Sequence, residues 1–361
     1  MNVLHYAGVR ENKASGVSVI VPQIIDAQAE LMNVCFYNYG ETSFKINNRV
    51  LCMNNRHSDD YHTFPSPFNK PDIVVFHSPF GIPKSTHIAT MLKRDNISYI
   101  IVPHGSFSDT ALAKKRLKKW FALQIYFKKM FANASAVQFL SKGEKIVSAY
   151  YDKGIIIPNG VIIPSNIEQH HKRKKGIILS FIGRKDIYHK GLDLIIKACS
   201  TVKNKLYNSG VSIHLYGPYE DSNGGNLKSL ISENSVEDII FDCPPVFGKD
   251  KEKVFLETDI VFLTSRFEGL PGIVLEAWAH GCPTLLTIGS NMAEEAVQNN
   301  CGWKAKNEIQ DIASTLIDIC EHPDEIARKS DAAALYVRKK YNWKNIVGLY
   351  YDEYKKIIER T

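Results

Sequence analysis

Two glutamates, Glu268 and Glu276, stand eight residues apart in a segment that reads SRFEGLPGIVLEAWAHGCPTL from Ser265 to Leu285. The apolar run before this segment predicts a strand ending at Thr264, and the residues after Pro271 predict a helix. The start of a helix presents free backbone N–H groups and the positive end of the helix dipole. The segment therefore predicts a phosphate site over the backbone of Gly272, Ile273 and Val274.

The two glutamates are expected to bind hydroxyl groups, because a phosphate would repel a carboxylate. Glu268 and Glu276 would accept hydrogen bonds from hydroxyls on either side of a diphosphate, one on a sugar and one on a ribose. The alternative is structural, with Glu268 capping the helix and Glu276 forming a surface ion pair. The first interpretation makes the ligand a nucleotide-activated sugar.

A second segment, FIGRKDIYHKGLDLIIKA from Phe181 to Ala198, places two cations at the carboxyl end of a predicted strand. Arg184 offers a planar fork of donors, and Lys190 offers a compact charge. Together they would neutralise a diphosphate whose negative charge grows as a glycosidic bond breaks. The alternative for an isolated pair of this kind is a solvated basic loop.

A third segment, YIIVPHGSFSD from Tyr99 to Asp109, places His104 and Gly105 directly after another predicted strand. The carboxyl ends of parallel strands border the crevice in which open α/β sheets bind ligands. A histidine here could donate to a sugar or orient an acceptor, although a lone histidine is usually structural. His104 is therefore a candidate site residue.

EGLPGIVLEA resembles the E-x7-E motif of the family 4 retaining glycosyltransferases, the glycosyl transferases group 1, which have the GT-B fold. PHG at His104 and the pair Arg184 and Lys190 also look like patterns of that family, as found in bacterial capsule, O-antigen and exopolysaccharide glycosyltransferases. In the family, the first glutamate contacts the transferred sugar and the second contacts the ribose. The resemblance implies these roles for Glu268 and Glu276.

The resemblance also implies a mechanism. Many members place the lysine five residues after the arginine, whereas Lys190 follows Arg184 by six, so Lys185 is an alternative. The family's glycine loop near the donor phosphates corresponds to the segment around Gly16. The implied reaction moves a sugar from a nucleotide-diphosphate sugar, UDP-sugar foremost, with retained anomeric configuration. No cofactor and no metal ion are expected, since the two cations can neutralise the diphosphate.

The expected site residues form two overlapping sets. The catalytic set is His104, Glu268, Arg184 and Lys190. The donor-binding set is Gly16, Arg184, Lys190, Glu268, Gly269, Leu270, Pro271, Gly272, Ile273, Val274 and Glu276.

Strand-like and helix-like segments alternate along both halves of the chain, which predicts an α/β protein with parallel sheets. Its 361 residues exceed the usual size of a single core. The resemblance specifies GT-B, in which two Rossmann-like domains have parallel sheets facing a deep interdomain cleft. We expect an acceptor-binding domain at residues 1–164, a nucleotide-sugar donor domain at 165–340, and a helix at 341–361 that crosses back onto the first domain.

Composition and absent motifs argue against several other classes of protein. The seven cysteines are scattered without a CxxC pair or zinc-ligand spacing, and no GxGxxG motif follows the first strand, which disfavours a dehydrogenase. No secretory signal and no apolar run of about 20 residues are present. The chain is therefore expected in the cytoplasm.

A basic and aromatic segment at residues 111–133 contributes to the net charge of +7. A helix of this composition can dock on anionic lipid headgroups, which would suit a lipid-diphosphate-linked saccharide acceptor at the inner face of the plasma membrane. The alternative is a solvated lysine face over a buried aromatic face. Nucleic acid is not expected as a partner, because no base-stacking or groove-binding motif accompanies the charge.

Two other functions remain as alternatives to glycosyl transfer. One is a sugar-nucleotide epimerase or hydrolase on the same scaffold, which would release product without an acceptor. The other is a catalytically silent subunit that binds a nucleotide sugar within a polysaccharide assembly complex.

Overall fold

The computed structural model describes residues 1–10, 16–40, 45–104, 127–146, 151–164, 176–219 and 224–360. The chain divides into two compact units, the first made of Met1–Gly160 with Trp343–Thr361 and the second of Val161–Asn342. The borders expected from sequence, after residues 164 and 340, lie a few residues from these. The last segment belongs to the first unit.

The first unit contains a parallel sheet whose strands occur in the order β3-β2-β1-β4-β5-β6-β7. Central strands such as IVVFH are buried at every position, as expected when helices cover both faces of a sheet. The strands are β1 Asn2–Ala7, β2 Asn33–Asn38, β3 Val50–Asn54, β4 Ile73–His77, β5 Ser98–Val102, β6 Ala136–Phe139 and β7 Gly154–Ile156.

Helices of the first unit follow several of these strands. In the described residues they are α1 Gly16–Gln28, α2 Ser85–Arg94, α3 Lys128–Asn133 and α4 Lys142–Ile146. The basic segment predicted at residues 111–133 lies outside the described residues up to residue 126, and α3 is its described end.

The second unit contains a parallel sheet in the order β10-β9-β8-β11-β12-β13. Its strands are β8 Ile177–Ile182, β9 Val211–Tyr216, β10 Ile240–Cys243, β11 Ile260–Leu263, β12 Thr284–Thr287 and β13 Gly302–Ala305. Its helices are α5 Leu192–Thr201, α6 Lys203–Asn208, α7 Gly224–Glu233, α8 Gly248–Glu257, α9 Gly272–Ala279, α10 Ala293–Gln298, α11 Ile309–Glu321 and α12 Asp324–Lys340. The α/β class with parallel sheets is thus confirmed for both units.

The closing helix α13, Trp343–Glu359, packs in the core of the first unit. Its buried Tyr350 accepts a hydrogen bond of 2.8 Å from Nε2 of Gln138 on β6, and its Tyr354 is fully buried. The ring of Trp343 lies so close to Gly160 that a Cβ there would approach it to 2.5 Å. The last segment of the chain thus packs with the first unit.

Glu295 on α10 holds the end of α12 in the second unit. Its Oε1 accepts hydrogen bonds from the hydroxyls of Tyr336 and Tyr341 at 2.7 and 2.5 Å and from Nζ of Lys340 at 2.8 Å. Burial raises the pKa of this carboxyl, but the hydrogen bonds from Lys340, Tyr341 and Tyr336 outweigh burial, so the pKa lies below its usual value. The ionised carboxylate therefore stabilises the folded state.

The substitution Glu295→Gln is expected to lower the free energy of unfolding by about 1–3 kcal/mol at neutral pH, because it removes a charged acceptor from three donors. Because the pKa of Glu295 is lower in the folded state, its ionised carboxylate stabilises the fold at pH values above the unfolded-state pKa of about 4.3. This stabilisation is lost as the pH falls through the folded-state pKa. The deficit of the variant should therefore vanish in acid. Urea unfolding at several pH values measures it.

Glu294→Gln is the matched control, since the neighbouring Glu294 forms an exposed pair with Lys304 at 2.9 Å. Its effect should stay within about 0.5 kcal/mol. Equal losses in the two variants would contradict the assignment of the stabilisation to Glu295.

A candidate donor site in the second unit

The candidate site lies where the strand order of the second sheet reverses. β8 pairs with β9 on one side and with β11 on the other, so the loops after β8 and β11 leave the sheet side by side. Ligands of open α/β sheets bind at such a switch point, at the carboxyl ends of the strands. These two loops contain most of the site residues that were predicted from the sequence.

A close backbone contact joins the two loops. Gly191 has φ of +63°, and a Cβ at this position would lie 2.0 Å from the carbonyl oxygen of Thr264. The hydroxyl of Thr264 donates to the carbonyl oxygens of Gly191 at 2.9 Å and Lys190 at 3.2 Å. Only glycine allows both the left-handed backbone and this approach.

Side chains reinforce the same contact. Arg266 forms a bidentate ion pair with Asp193 of α5, at 2.8 and 2.7 Å, and its backbone N–H donates to the carbonyl oxygen of His189 at 2.9 Å. The ring of His189 stacks on Phe267 with centroids 4.1 Å apart. Burial and the nearby Lys190 lower the pKa of His189, so the neutral imidazole is favoured.

Lys190 and Glu268 meet at this junction. Nζ of Lys190 lies 2.6 Å from Oε1 of Glu268, which also accepts from the hydroxyl of Ser265 at 2.7 Å. Both side chains are mostly buried, with exposed fractions of 18% and 12%. The structure thus brings together the expected phosphate cation and the expected sugar acceptor as an ion pair. Glu268 does not cap the following helix.

Helix α9 begins beside this pair. Pro271 is its N-cap residue, and no side chain caps the helix. The N–H of Val274 donates to the carbonyl oxygen of Pro271 at 3.0 Å, whereas Gly272 is exposed with open space around its Cα. Among the nominated backbone donors, Gly272 and Ile273 are therefore better placed for a phosphate than Val274. Gly269 and Leu270 form the turn before the helix.

Glu276 on α9 forms an ion pair with Lys251 of α8, so the surface pair considered as its alternative is present in this structure. The exposed fractions of the two side chains, 35% and 25%, leave the pair open to exchange with a ligand. Sequence reasoning missed Lys251, which stands in the charged run GKDKEK at the start of α8.

Arg184 and Lys185 stand next to each other but differ in environment. Arg184 is exposed, whereas the side chain of Lys185 is 1% exposed. Nζ of Lys185 contacts Oδ1 of Asp242 at 2.5 Å and the carbonyl oxygen of Cys243 at 2.6 Å, and it lies 4.7 Å from the ring centroid of Tyr219. Lys185 thus anchors the loop to β10, which argues against the alternative in which it replaces Lys190.

His104 and Gly16 belong to the first unit. His104 follows β5 with φ of +50°, and its Nε2 lies 2.9 Å from Nδ1 of His77 at the end of β4. Burial lowers the pKa of His104 to about 4. Gly16 is the first residue of α1, and a side chain there would meet no atom within 4 Å. Sequence reasoning missed His77, which is the last residue of β4.

The described residues lack two kinds of feature. No helix in this part of the chain is long and apolar enough to cross a membrane. No group of three or more His, Cys, Asp or Glu residues there is arranged to hold a metal ion.

Residues 163–336 match the family model described as Glycosyl transferases group 1. This match covers both loops and helix α9. The part of the chain that carries the candidate site is therefore a glycosyl transferases group 1 domain.

Curated relatives agree with this family. D-inositol 3-phosphate glycosyltransferase of Arthrobacter sp. is 22% identical over 47% of this chain and 41% of its own length. The putative colanic acid biosynthesis glycosyltransferase WcaL of Salmonella typhimurium is 29% identical over 36% of this chain and 32% of its own length. The chain thus spans less than half the length of these two relatives.

Solved structures match over the whole chain. A sucrose-phosphate synthase from Thermosynechococcus elongatus has a TM-score of 0.76 at 14% identity, with 100% of both chains covered. HepE of Anabaena, solved in complex with UDP-glucose, has a TM-score of 0.69 at 15% identity, again with 100% of both chains covered. These similarities show the fold, which is that of the GT-B glycosyltransferases.

Replacing Lys185 with methionine is expected to lower the free energy of unfolding by about 3–5 kcal/mol, because the substitution leaves the Asp242 carboxylate without its cation. Lys205→Met is the control, since Lys205 pairs with the exposed Glu321 at 3.0 Å and should contribute at most about 1 kcal/mol. Chemical denaturation of both variants measures the difference. Equal stabilities would refute the anchoring role of Lys185.

Proposed function

We propose that this protein is a retaining glycosyltransferase that moves a sugar from a UDP-sugar to a saccharide acceptor. The observation that supports it best is the junction of the two loops, where Lys190 and Glu268 lie together beside the start of α9. The group 1 domain occupies the same residues. A site with a cation, a carboxylate and a helix start suits a ligand that carries both phosphates and hydroxyls.

Donor binding would divide the ion pair. The diphosphate would take Lys190, Arg184 and the first N–H groups of α9, and its negative charge would replace Glu268 as the partner of the lysine. Glu268 would then accept a hydrogen bond from a sugar hydroxyl, still held by Ser265. The ion pair keeps both side chains in place before the ligand arrives, which reduces the entropy lost on binding.

Glu276 would bind the ribose. Lys251 holds its carboxylate on the first turns of α9, at a distance along the helix from the phosphate site. A ribose with two neighbouring hydroxyls can donate to both oxygens of one carboxylate. In this proposal the sugar and the ribose lie on opposite sides of the diphosphate.

The chemical step in this proposal needs no covalent glycosyl-enzyme. In the donor complex Glu268 would accept from Ser265 and from a sugar hydroxyl, which makes it a poor nucleophile. The leaving phosphate would take the proton of the acceptor hydroxyl on the same face of the sugar, so the anomeric configuration is retained. Lys190, Arg184 and the dipole of α9 would stabilise the charge on the leaving diphosphate without a metal ion or cofactor.

The proposed acceptor is a lipid-diphosphate-linked saccharide used to build a bacterial surface polysaccharide, reached by a cytoplasmic enzyme at the inner face of the plasma membrane. Its support is the basic composition of residues 111–133 and the similarity to WcaL, a putative colanic acid biosynthesis glycosyltransferase. Binding to vesicles with and without anionic lipid tests the membrane contact. Equal binding to both would count against it.

An assay of UDP release from UDP-glucose, UDP-galactose and UDP-N-acetylglucosamine, with and without a lipid-diphosphate sugar, tests the function itself. A transferase releases UDP only when the acceptor is present, a hydrolase releases UDP without it, and an epimerase converts the UDP-sugar without net release of UDP. Nuclear magnetic resonance of the product assigns its anomer, and an inverted anomer would exclude the proposed mechanism. Activity that is lost in EDTA and restored by manganese would exclude a metal-independent reaction.

Glu268→Gln is expected to reduce kcat by about 10²- to 10³-fold, because the charge that faces the reacting sugar is lost while the shape is kept. Glu276→Gln should instead raise the KM of the donor with little change in kcat, since ribose binding is the same before and during reaction. Steady-state kinetics with the active UDP-sugar separates the two effects.

Glu294→Gln serves as the control for both variants, because its side chain is an exposed surface carboxylate. It should retain the parent kinetics. Full turnover by Glu268→Gln with intact donor binding would instead support the silent-subunit alternative, in which a partner performs the catalysis.

A further inference from the structure

Three histidines and a glutamine form a continuous buried chain of hydrogen bonds in the first unit. Nε2 of His104 lies 2.9 Å from Nδ1 of His77, and Nε2 of His77 lies 3.0 Å from Nδ1 of His5. Nε2 of His5 lies 3.1 Å from Oε1 of Gln28 on α1. Nε2 of Gln28 in turn donates to the hydroxyl of Tyr354 on α13 at 3.3 Å.

The amide at the inner end of this chain sets the direction of every bond in it. The Gln28 amide is assigned with its nitrogen toward Tyr354 and its oxygen toward His5, and since the oxygen only accepts, this orientation assigns the proton to Nε2 of His5 and the acceptor role to Nδ1 of His5. The same reasoning then makes Nε2 of His77 and Nε2 of His104 the protonated nitrogens. Each neutral ring is therefore a donor at Nε2 and an acceptor at Nδ1.

The outer end of the chain is the Nδ1 of His104. This atom is shielded from solvent and has no hydrogen-bond partner in the described part of the chain. A buried polar atom without a partner is costly, and native structures keep such atoms mainly where a ligand or a water completes them. Because the hydrogen bonds run from Nε2 of each ring toward Gln28, this Nδ1 carries a lone pair and can accept a hydrogen bond.

We propose that His5, His77 and Gln28 are positioning residues, which hold His104 as its Nε2-protonated tautomer so that Nδ1 accepts a hydrogen bond from a substrate hydroxyl. The inference rests on the proposed function, because the hydroxyl belongs to the donor sugar or to the saccharide acceptor. The hydrogen bonds from His77, His5 and Gln28 explain why His104 would accept a hydrogen bond from a hydroxyl instead of donating one.

The series of hydrogen bonds from Gln28 to His104 orients His104 and does not carry a proton away from the substrate. In a catalytic triad a buried carboxylate stabilises the imidazolium that forms when the histidine takes a proton. Here the inner end is a neutral amide, and no charged side chain takes part in the described chain. Burial lowers the pKa of His5 and of His104 to about 4, and burial and the neighbouring rings lower that of His77.

The position of the chain in the sheet also suits a ligand site. His5 lies on β1 and His77 ends β4, and these strands are neighbours where the order of the first sheet reverses. His104 follows β5, the next strand along. The chain therefore runs from the helix-covered interior to the carboxyl edge of the sheet at a switch point, where open α/β sheets bind ligands.

The first test is the tautomer of His104 in the unliganded protein. Long-range ¹H–¹⁵N spectra of the ¹⁵N-histidine-labelled full chain distinguish a protonated ring nitrogen from a lone-pair nitrogen, and the signal missing from His104→Asn assigns this residue. We expect a neutral ring protonated at Nε2 that remains neutral down to about pH 5, since its pKa is about 4. A ring protonated at Nδ1, or one that titrates near pH 6.5, would overturn the proposal.

The second test changes the inner end of the chain. Gln28→Glu puts a carboxylate beside His5 and should raise the pKa of the linked rings, so that His104 gains a proton and loses its lone pair at a higher pH. The acid limb of kcat/KM should move to higher pH with it. Among the described residues, the ionisable groups that act on these rings are the rings themselves and, through Gln28, the hydroxyl of Tyr354.

Tyr350→Phe is the matched control, because Tyr350 is also buried on α13 but bonds to Gln138, outside the chain. Its spectra and its pH profile should match those of the parent. His77→Phe, which interrupts the chain at similar volume, should release the tautomer of His104 and lower kcat/KM roughly tenfold, the effect of one lost hydrogen bond. An unchanged tautomer in His77→Phe, or an unchanged pH profile in Gln28→Glu, would overturn the proposal.

The kinetics of His77→Phe also identify the hydroxyl. A raised KM for the UDP-sugar alone assigns it to the donor, and a raised KM for the lipid-diphosphate sugar alone assigns it to the acceptor. A released tautomer with unchanged kinetics would refute the binding of a hydroxyl. If the spectra agree but no UDP-sugar is turned over by the parent, the proposed function fails while the hydrogen-bond chain stands.

Discussion

The close approach of Gly191 to Thr264 is the constraint on which the candidate donor site depends. Because Gly191 has no Cβ, the carbonyl oxygen of Thr264 can approach it closely, and the loop after β8 can lie directly against the loop after β11. That contact places Lys190 within 2.6 Å of Glu268, although 78 residues separate them in the chain. The ion pair between Arg266 and Asp193 and the stacking of His189 on Phe267 then secure the same alignment.

Lys185 and Lys190 lie in the same loop, but Lys185 has a structural role and Lys190 belongs to the proposed donor site. Lys185 is enclosed and its charge is matched by Asp242, so removing either partner would leave an uncompensated charge. Lys190 also pairs with a carboxylate, that of Glu268. In the proposed complex, however, Glu268 would bind a hydroxyl of the sugar nucleotide. Because a diphosphate carries more negative charge than Glu268, exchange of partners favours the ligand. In the proposed complex, the lysine of this neutral pair would face the diphosphate without a large movement.

Much of this site could be predicted from sequence, because its elements are local. The strand, the glycine turn and the helix around Glu268 and Glu276 are contiguous, and so are Arg184 and Lys190. Partners from distant segments were missed: Lys251 for Glu276 and Asp242 for Lys185 depend on which strands become neighbours. The strands β3 and β13 were also missed. Both lie at sheet edges, where VLCMN is only partly buried and GWKA is short and contains glycine.

The buried chain that ends at His104 shows the same limit more sharply. A single histidine after a strand can be nominated from PHG, but its tautomer depends on His77, His5 and Gln28, which lie on other elements. No local pattern marks Gln28, a polar residue on a helix, as the group that orients three rings.

Under the proposed function, the two units would recognise polar groups by opposite physical means. In the second unit, paired charges at a loop junction can exchange partners when a charged ligand arrives. In the first, a chain of neutral rings ends in an amide, and burial keeps the rings uncharged. A neutral acceptor at His104 would recognise a hydroxyl without attracting the phosphates, because it offers them neither a positive charge nor an N–H at that nitrogen. Selectivity for a hydroxyl then follows from the direction of the hydrogen bonds.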